Sequence, residues 1–302
     1  MPSGWVKVRV KSASINHHDL WSLRGGRAMQ QRGGAGLTEE DLPRILGTDA
    51  AGVTPDGREV LIYPVIMAAS QSAAAPPRFL GSLSGRFEGT FAEFVTVPES
   101  NLVPKPAQLD FDQAACLPTA WLTAYRMIFE KAGLPSDGSM LVQGASGGLS
   151  TALIMLGKAA GFRVYATGRS EYTRRYALEI GADAVFEPGA RLPERVDAVM
   201  DSVGRATWQH SLKCLRHGGT LVVPGGTSGY TAEVDIAALF TRDLRIVGSA
   251  MGSVEQLREL VEFCVRNAIR PPIDRVLDLG EAREGFKALE KGELNGKVVL
   301  RS

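Results

Sequence analysis

Apolar and polar residues alternate from Trp5 to Ser14, with Val6, Val8 and Val10 set against Lys7, Arg9 and Lys11. Side chains on a strand point to opposite faces in turn, so this period of two predicts a half-buried β-strand. Shorter apolar runs at Gly52-Val53, Val60 to Tyr63 and Phe91 to Val97 are separated by Gly, Pro and Asp turns. Together they predict a sheet-rich first domain. Asp110 is placed to cap a short helix, and Pro118 stands in the first turn of another that runs to Lys131 and stops at Gly133-Leu134-Pro135.

Beyond that helix the pattern changes. Strands are expected at 140–143, 163–166, 196–202, 220–224 and 244–249, with helices at 149–160, 171–180 and 207–215 between them. Such alternation predicts an α/β fold, a doubly wound parallel sheet with helices on both faces. A helix at 254–267 is followed by Pro271-Pro272, a strand near 273–277, a helix at 282–291 and a strand at 297–301, and these last strands are expected to return to the first domain. The expected domains are therefore 1–123, 124–268 and the return segment 269–302. Met67 to Pro77, rich in Ala, Ser and Pro, reads as a surface loop with no core of its own.

One turn carries chemistry. Leu141 to Gln143 supply an apolar strand, Gly144, Ser146, Gly147 and Gly148 form a turn, and Leu149 opens a long apolar helix. Glycines between a strand and a helix let the backbone approach a pyrophosphate at the positive helix end, and a second strand about 20 residues on completes a dinucleotide-binding unit. Ser150 takes the place of the last small residue of that fingerprint. After the second strand comes Thr167-Gly168-Arg169-Ser170. An acid there favours NAD through the ribose hydroxyls, whereas a cation suits a phosphate. Arg169, Ser170 and Arg174, one helical turn further on, therefore favour NADPH as the cofactor. Glu171 is read as a first-turn acid that complements the helix dipole.

The bulk numbers narrow the partners. Lys+Arg 34 against Asp+Glu 33 gives a formal charge of +1, leaving no cationic excess for a nucleic acid backbone or an anionic membrane. No apolar run approaches the length of a membrane span, and Met1 to Trp5 lacks a signal-peptide core, so a cytoplasmic protein acting on a small molecule is expected. Cys116, Cys214 and Cys264 show neither pairing nor metal spacing and read as buried thiols.

Several segments carry a family resemblance: 15–20 (Ile-Asn-His-His-Asp-Leu), 46–52 (Leu-Gly-Thr-Asp-Ala-Ala-Gly), 89–95, 117–120 with 122–125, Asp201 to Gly204, and Gly248-Ser249. On these the chain resembles the medium-chain dehydrogenases/reductases, in the branch with quinone oxidoreductases and zinc-type alcohol dehydrogenase homologues. The resemblance implies a GroES-like catalytic domain before a Rossmann domain, and a homodimer whose nucleotide-domain sheets meet edge to edge, with 233–236 as the candidate edge. It also implies roles for Gly225 and Gly226 near the nicotinamide and for Gly248 and Ser249 near its carboxamide. Members usually have a hairpin before the strand matching Trp5 to Ser14, so either the sequence starts inside the natural chain or the first domain lacks it.

The departures bear on chemistry. Where zinc-dependent members carry Cys, His and Cys as metal ligands, this chain has Asn16, Thr48 and Thr119, none of which offers thiolate or imidazole. The four cysteines of a structural zinc lobe are likewise replaced, by the Ala/Ser/Pro loop. Both metals are expected to be absent. Without one to polarise an alcohol oxygen, hydride transfer is easier to a quinone or enone, whose developing charge is delocalised. In the resembling reductases the pocket lies between the domains, and this chain would line it with Asn16, Trp21, Thr48, Tyr63, Thr119 and Trp121. Asn16 and Thr119 are the strongest candidates to hold the substrate carbonyl, because an amide and a hydroxyl donate hydrogen bonds; both residue types also cap turns. His18 is a weaker candidate as proton donor. Two alternatives stay open: an alcohol dehydrogenase holding zinc through other ligands, and a catalytically silent NADPH-binding protein.

Overall fold

The structure is a computed structural model that describes residues 2–24, 42–68, 78–292 and 294–302. The chain divides into two compact units, Met1–Thr119 with Leu257–Ser302, and Ala120–Gln256. In the first, β1 (Trp5–Ser14), β2 (Asp49–Val53), β3 (Glu59–Ile62), β4 (Val65–Met67), β5 (Phe79–Ser82), β6 (Phe94–Pro98) and β7 (Leu102–Pro104) follow one another. Val8 and Val10 of β1 are buried while Lys7 and Arg9 face out, as the alternation requires. From Ser12 onward the alternation stops and every residue to Ser14 is buried, because the helix Phe111–Ala115 packs on β1 and β2 and covers the second face. The core gathers Val8, Val10, Val60, Ile62, Ile66, Leu83, Val95 and Val97. Each such side chain stabilises the fold by about 1.5–3 kcal/mol relative to exposure.

The second unit holds β8 (Ser139–Gln143), β9 (Arg163–Thr167), β10 (Ala184–Phe186), β11 (Val196–Asp201), β12 (Leu215–Val223) and β13 (Arg245–Gly248). They form one sheet in the order β10-β9-β8-β11-β12-β13, and all its pairings are parallel. Every residue of β8 is buried, which is why it reads as a continuous apolar run. The order reverses beside β8, and ligands of such sheets bind outside the strand ends at that reversal. β10 is not among the expected strands, since three residues are too few for a period to register. The residues 233–236 expected at a sheet edge form no strand. Asp235 instead accepts the Ala238 N–H at 3.1 Å and caps the helix Ile236–Thr241, leaving β13 as the edge.

From Leu257 the chain belongs again to the first unit. β14 (Ile273–Asp278) lies parallel to β15 (Lys297–Arg301), and β15 pairs antiparallel with the buried half of β1. The first sheet thus runs β14-β15-β1-β2-β3-β7, with β6 also on β1. The Ala/Ser/Pro loop lies almost wholly outside the described residues.

Candidate active site

The turn after β8 has the form an anion needs. Gly144 sits at φ +92°, a left-handed backbone that disfavours any side chain, and a Cβ on Gly147 would meet nothing within 4 Å. The helix Gly148–Ala159 starts at Gly147, which supplies no side-chain cap, so among the described residues its first-turn amides are placed to receive a phosphate. Ser150 is buried in the first turn, and Ser146 and Leu149 are half-buried beside it. Gly144 N–H donates to Thr167 Oγ1 at 3.1 Å, which ties the turn to the end of β9.

At the end of β9, Arg169 is exposed, and no hydrogen bond or ion pair engages it among the described residues. Arg174 is committed elsewhere. Its guanidinium donates to Gly168 O at 2.8 Å and pairs with Glu187 at 3.4 Å. Ser170 Oγ accepts the Thr173 N–H at 3.2 Å and so caps the helix Glu171–Glu179, and Glu171 pairs with Arg175 across one turn. After β12, Gly226 is required locally: a Cβ there would lie 2.7 Å from Gly229 O. Gly225 is half-buried beside it. Gly248 is exposed with open space around it, while Ser249 is buried and donates its N–H to Val223 O at 2.9 Å.

In the first unit Asn16 and Thr119, distant in sequence, both come into hydrogen-bond contact with Thr48. Asn16 Nδ2 donates to Thr48 Oγ1 at 3.1 Å and to Asp49 Oδ2 at 2.8 Å, and Thr119 Oγ1 donates to Thr48 Oγ1 at 3.2 Å. Gly47 sets the position of Thr48: its φ is +105°, and a Cβ would lie 2.5 Å from Thr90 Oγ1. Behind them Lys297, 3% exposed, donates to Asn16 Oδ1 at 2.6 Å and to Ile15 O at 3.0 Å, with Asp49 Oδ2 at 3.4 Å. Ser14 Oγ also donates to Asp49 Oδ2, at 2.8 Å. Lys297 is not among the residues the sequence singles out. Its one signal is a lysine opening the otherwise apolar run Lys297 to Leu300.

Other expected residues sit at differing depth. Tyr63 is buried, its backbone held by Asn101 on both sides at 2.8 Å, and Trp21 is half-buried on the helix His17–Leu23. Trp121 is fully buried, with no partner for Nε1 among the described residues, so it is a core residue and not a lining one. Burial holds the His18 imidazole below its ordinary pKa, a shift that the nearby Asp49 partly opposes, and His18 Nδ1 is buried with no hydrogen-bond partner among the described residues. Asp19 is fully buried. That burial raises its carboxyl to about 7, against the pull of the Asn16 N–H, the Ser84 hydroxyl and Lys297. Cys116 is buried deep enough to push its thiol up to about 12, which makes it a poor nucleophile.

Two family descriptions match this chain, "Alcohol dehydrogenase GroES-like domain" over residues 2–107 and "Zinc-binding dehydrogenase" over residues 148–266. A 2-methylene-furan-3-one reductase of Solanum lycopersicum is 30% identical over 98% of this chain and 71% of its own length. The chain belongs to the medium-chain dehydrogenase/reductase superfamily. It is an oxidoreductase of that type, with the GroES-like and Rossmann folds the resemblance implies. A solved NAD-dependent alcohol dehydrogenase superposes with a TM-score of 0.87 at 32% identity, over 99% of this chain and 92% of that one. A 2-octenoyl-CoA carboxylase reductase, solved with NADP and 2-octenoyl-CoA, gives 0.84 at 27% identity over 100% and 80%.

The superfamily implies two groups, and this chain fits them unequally. The uncapped helix start and the open space at Gly147 fit a dinucleotide. The donor set for a catalytic zinc does not fit: an amide and two hydroxyls, hydrogen-bonded to one another, replace the soft and imidazole ligands zinc prefers.

Proposed function

We propose that this protein uses NADPH to reduce a carbon–carbon double bond conjugated to a carbonyl, in an enone or quinone, without a metal. The observation that carries the reading is the mutual hydrogen bonding of Asn16, Thr48 and Thr119, which offers hydroxyl and amide donors where a metal would otherwise polarise oxygen. When bound, the nicotinamide supplies the hydride. Such a hydride would add at the carbon β to the carbonyl, with the π pair moving towards oxygen and a solvent proton completing the α carbon. Charge on the carbonyl oxygen is then the quantity the protein must stabilise, and hydrogen-bond donors in a buried setting do this most strongly. A saturated aldehyde offers no such delocalisation and is a poorer acceptor.

The name of the tomato relative, a reductase of a methylene-furanone, supports an enone-type acceptor. The exposed, unengaged Arg169 supports NADPH, because the 2′-phosphate needs a cation and Arg174 is already paired. Against an alcohol dehydrogenase with substitute ligands, no group of three His, Cys, Asp or Glu that suits a metal occurs among the described residues. The test is a panel of enones, quinones and saturated aldehydes assayed with NADPH and NADH, on protein whose metal content has been measured. Enone or quinone turnover by metal-free protein is expected. Near-stoichiometric zinc, lost together with activity on chelation, would overturn the reading, and binding of NADPH without turnover of any acceptor would favour a silent binding protein.

A further inference from the structure

The side chains around Asn16 nearly exhaust their own hydrogens on one another. Lys297 Nζ has three, and three acceptors face it: Asn16 Oδ1, Ile15 O and Asp49 Oδ2. Asn16 Nδ2 has two, directed to Asp49 Oδ2 and Thr48 Oγ1, with Ser14 O further away at 3.5 Å. Thr48 Oγ1 accepts twice, from Asn16 and from Thr119. Its own hydrogen meets no acceptor among the described residues.

From this arrangement we propose that the Thr48 hydroxyl is the donor to the substrate's carbonyl oxygen, and that Lys297 is the positioning residue that aims it. The inference rests on the reduction proposed above and moves the donor role from Asn16 to Thr48. An amide can turn over and exchange its oxygen and nitrogen. Were Asn16 reversed, Oδ1 would face Thr48 and take the hydroxyl hydrogen, and Nδ2 would face Lys297 donor to donor. The Nζ–H on Oδ1 forbids that orientation. It also polarises the amide, so that Nδ2–H and then the Thr48 hydroxyl become stronger donors along one chain of hydrogen bonds. As charge grows on the substrate oxygen, a donor already fixed in place strengthens without reorganising. No proton need leave Thr48 in the step.

The test takes Thr48→Val, Thr48→Ser, Lys297→Met and the double variant Lys297→Met/Thr48→Val, with cyclohex-2-en-1-one as acceptor. Thr48→Val is expected to lower kcat about 100-fold with KM little changed, and Thr48→Ser to restore it to within about fivefold of wild type. Lys297→Met is expected to lower kcat about tenfold alone and to add nothing to Thr48→Val, because it acts through that hydroxyl. Infrared spectra of the bound enone, labelled at the carbonyl carbon, give a reading that needs no turnover. The carbonyl stretch should fall in frequency in wild type and in Thr48→Ser and recover in Thr48→Val. An unaltered kcat and stretch in Thr48→Val would overturn the donor, and multiplying losses in the double variant would overturn the role of Lys297. If Lys297→Met does not fold, the Thr48 pair and the spectra decide the donor, and Lys297→Gln repeats the cycle. A lowered stretch that depends on Thr48, found in a protein that reduces no acceptor, would sink the reduction and leave the donor standing.

Discussion

Thr167 Oγ1 donates to Gln143 Oε1 at 2.8 Å while accepting the Gly144 N–H, so one hydroxyl joins β8, β9 and the glycine turn. Gln143 passes the chain on to Ser211 at 3.0 Å, and Ser211 to the fully buried Asp201 at 2.6 Å. Asp201 in turn accepts the Val203 and Gly204 N–H groups at 2.9 Å. Thr167→Val keeps the shape but leaves the Gly144 N–H and Gln143 Oε1 without their partner. A loss of about 2–3 kcal/mol is expected. Urea denaturation would measure it, and weaker binding of both NADPH and NADH should accompany it because the pyrophosphate turn loosens.

Cofactor choice turns on Arg169. If it pairs with the 2′-phosphate, Arg169→Ala should weaken NADPH binding about tenfold to a hundredfold, or roughly 1.5–3 kcal/mol, and leave NADH nearly untouched. The Michaelis constant should carry most of the change, because that contact is alike in ground and transition states. Equal losses for both cofactors would mean that Arg169 stacks or supports the fold instead.

The local part of this site was legible in the sequence and the distant part was not. Strand, glycine turn and helix at 140–160 are contiguous, so spacing alone carries them. Asn16 was visible by residue type, but which way its amide points depends on Lys297, 281 positions away. Nor did the sequence reveal that Ser170 and Arg174 are held by their own helix and turn, since helix capping and phosphate binding draw on the same residue types. The misplaced sheet edge at 233–236 has a similar origin: Asp235 closes a strand and caps a helix with equal ease in a pattern, and only the Ala238 N–H decides.

Asp19 predicts a pH dependence. The unfolded chain releases this proton near its ordinary value of 3.8, the folded protein only near about 7. Between those values the folded state holds more protons, so the contribution of Asp19 is fully favourable below the lower value and is lost as pH rises through the higher one. The span corresponds to about 4 kcal/mol. Asp19→Asn should flatten the change in unfolding free energy between pH 4 and 8 relative to wild type, a comparison in which the opposite trend from His18 cancels. Parallel curves for the two proteins would refute the assignment.

Association is expected through β13 and its neighbour helix. Ile236 is 72% and Phe240 68% exposed on the helix Ile236–Thr241, and Ile246 is 38% exposed on β13, which ends the sheet among the described residues. We infer a homodimer with this face at its two-fold axis. Mass measurement at micromolar concentration should give a dimer for wild type and a monomer for Ile236→Lys/Phe240→Lys. A monomeric wild type, or a double variant of unchanged mass, would count against it.

The return of β15 to β1 also orders events during synthesis. Domains generally fold as units as they emerge, earlier segments first. Here the continuous unit Ala120–Gln256 is complete while the earlier-begun one still lacks β14 and β15. On the ribosome the nucleotide-binding unit can therefore close before the catalytic one, and the buried half of β1 waits with Ser12 to Ser14 unpaired on that side. Ribosome-stalled chains ending near residue 290 should accordingly resist protease over 120–256 and remain cleavable around 12–16.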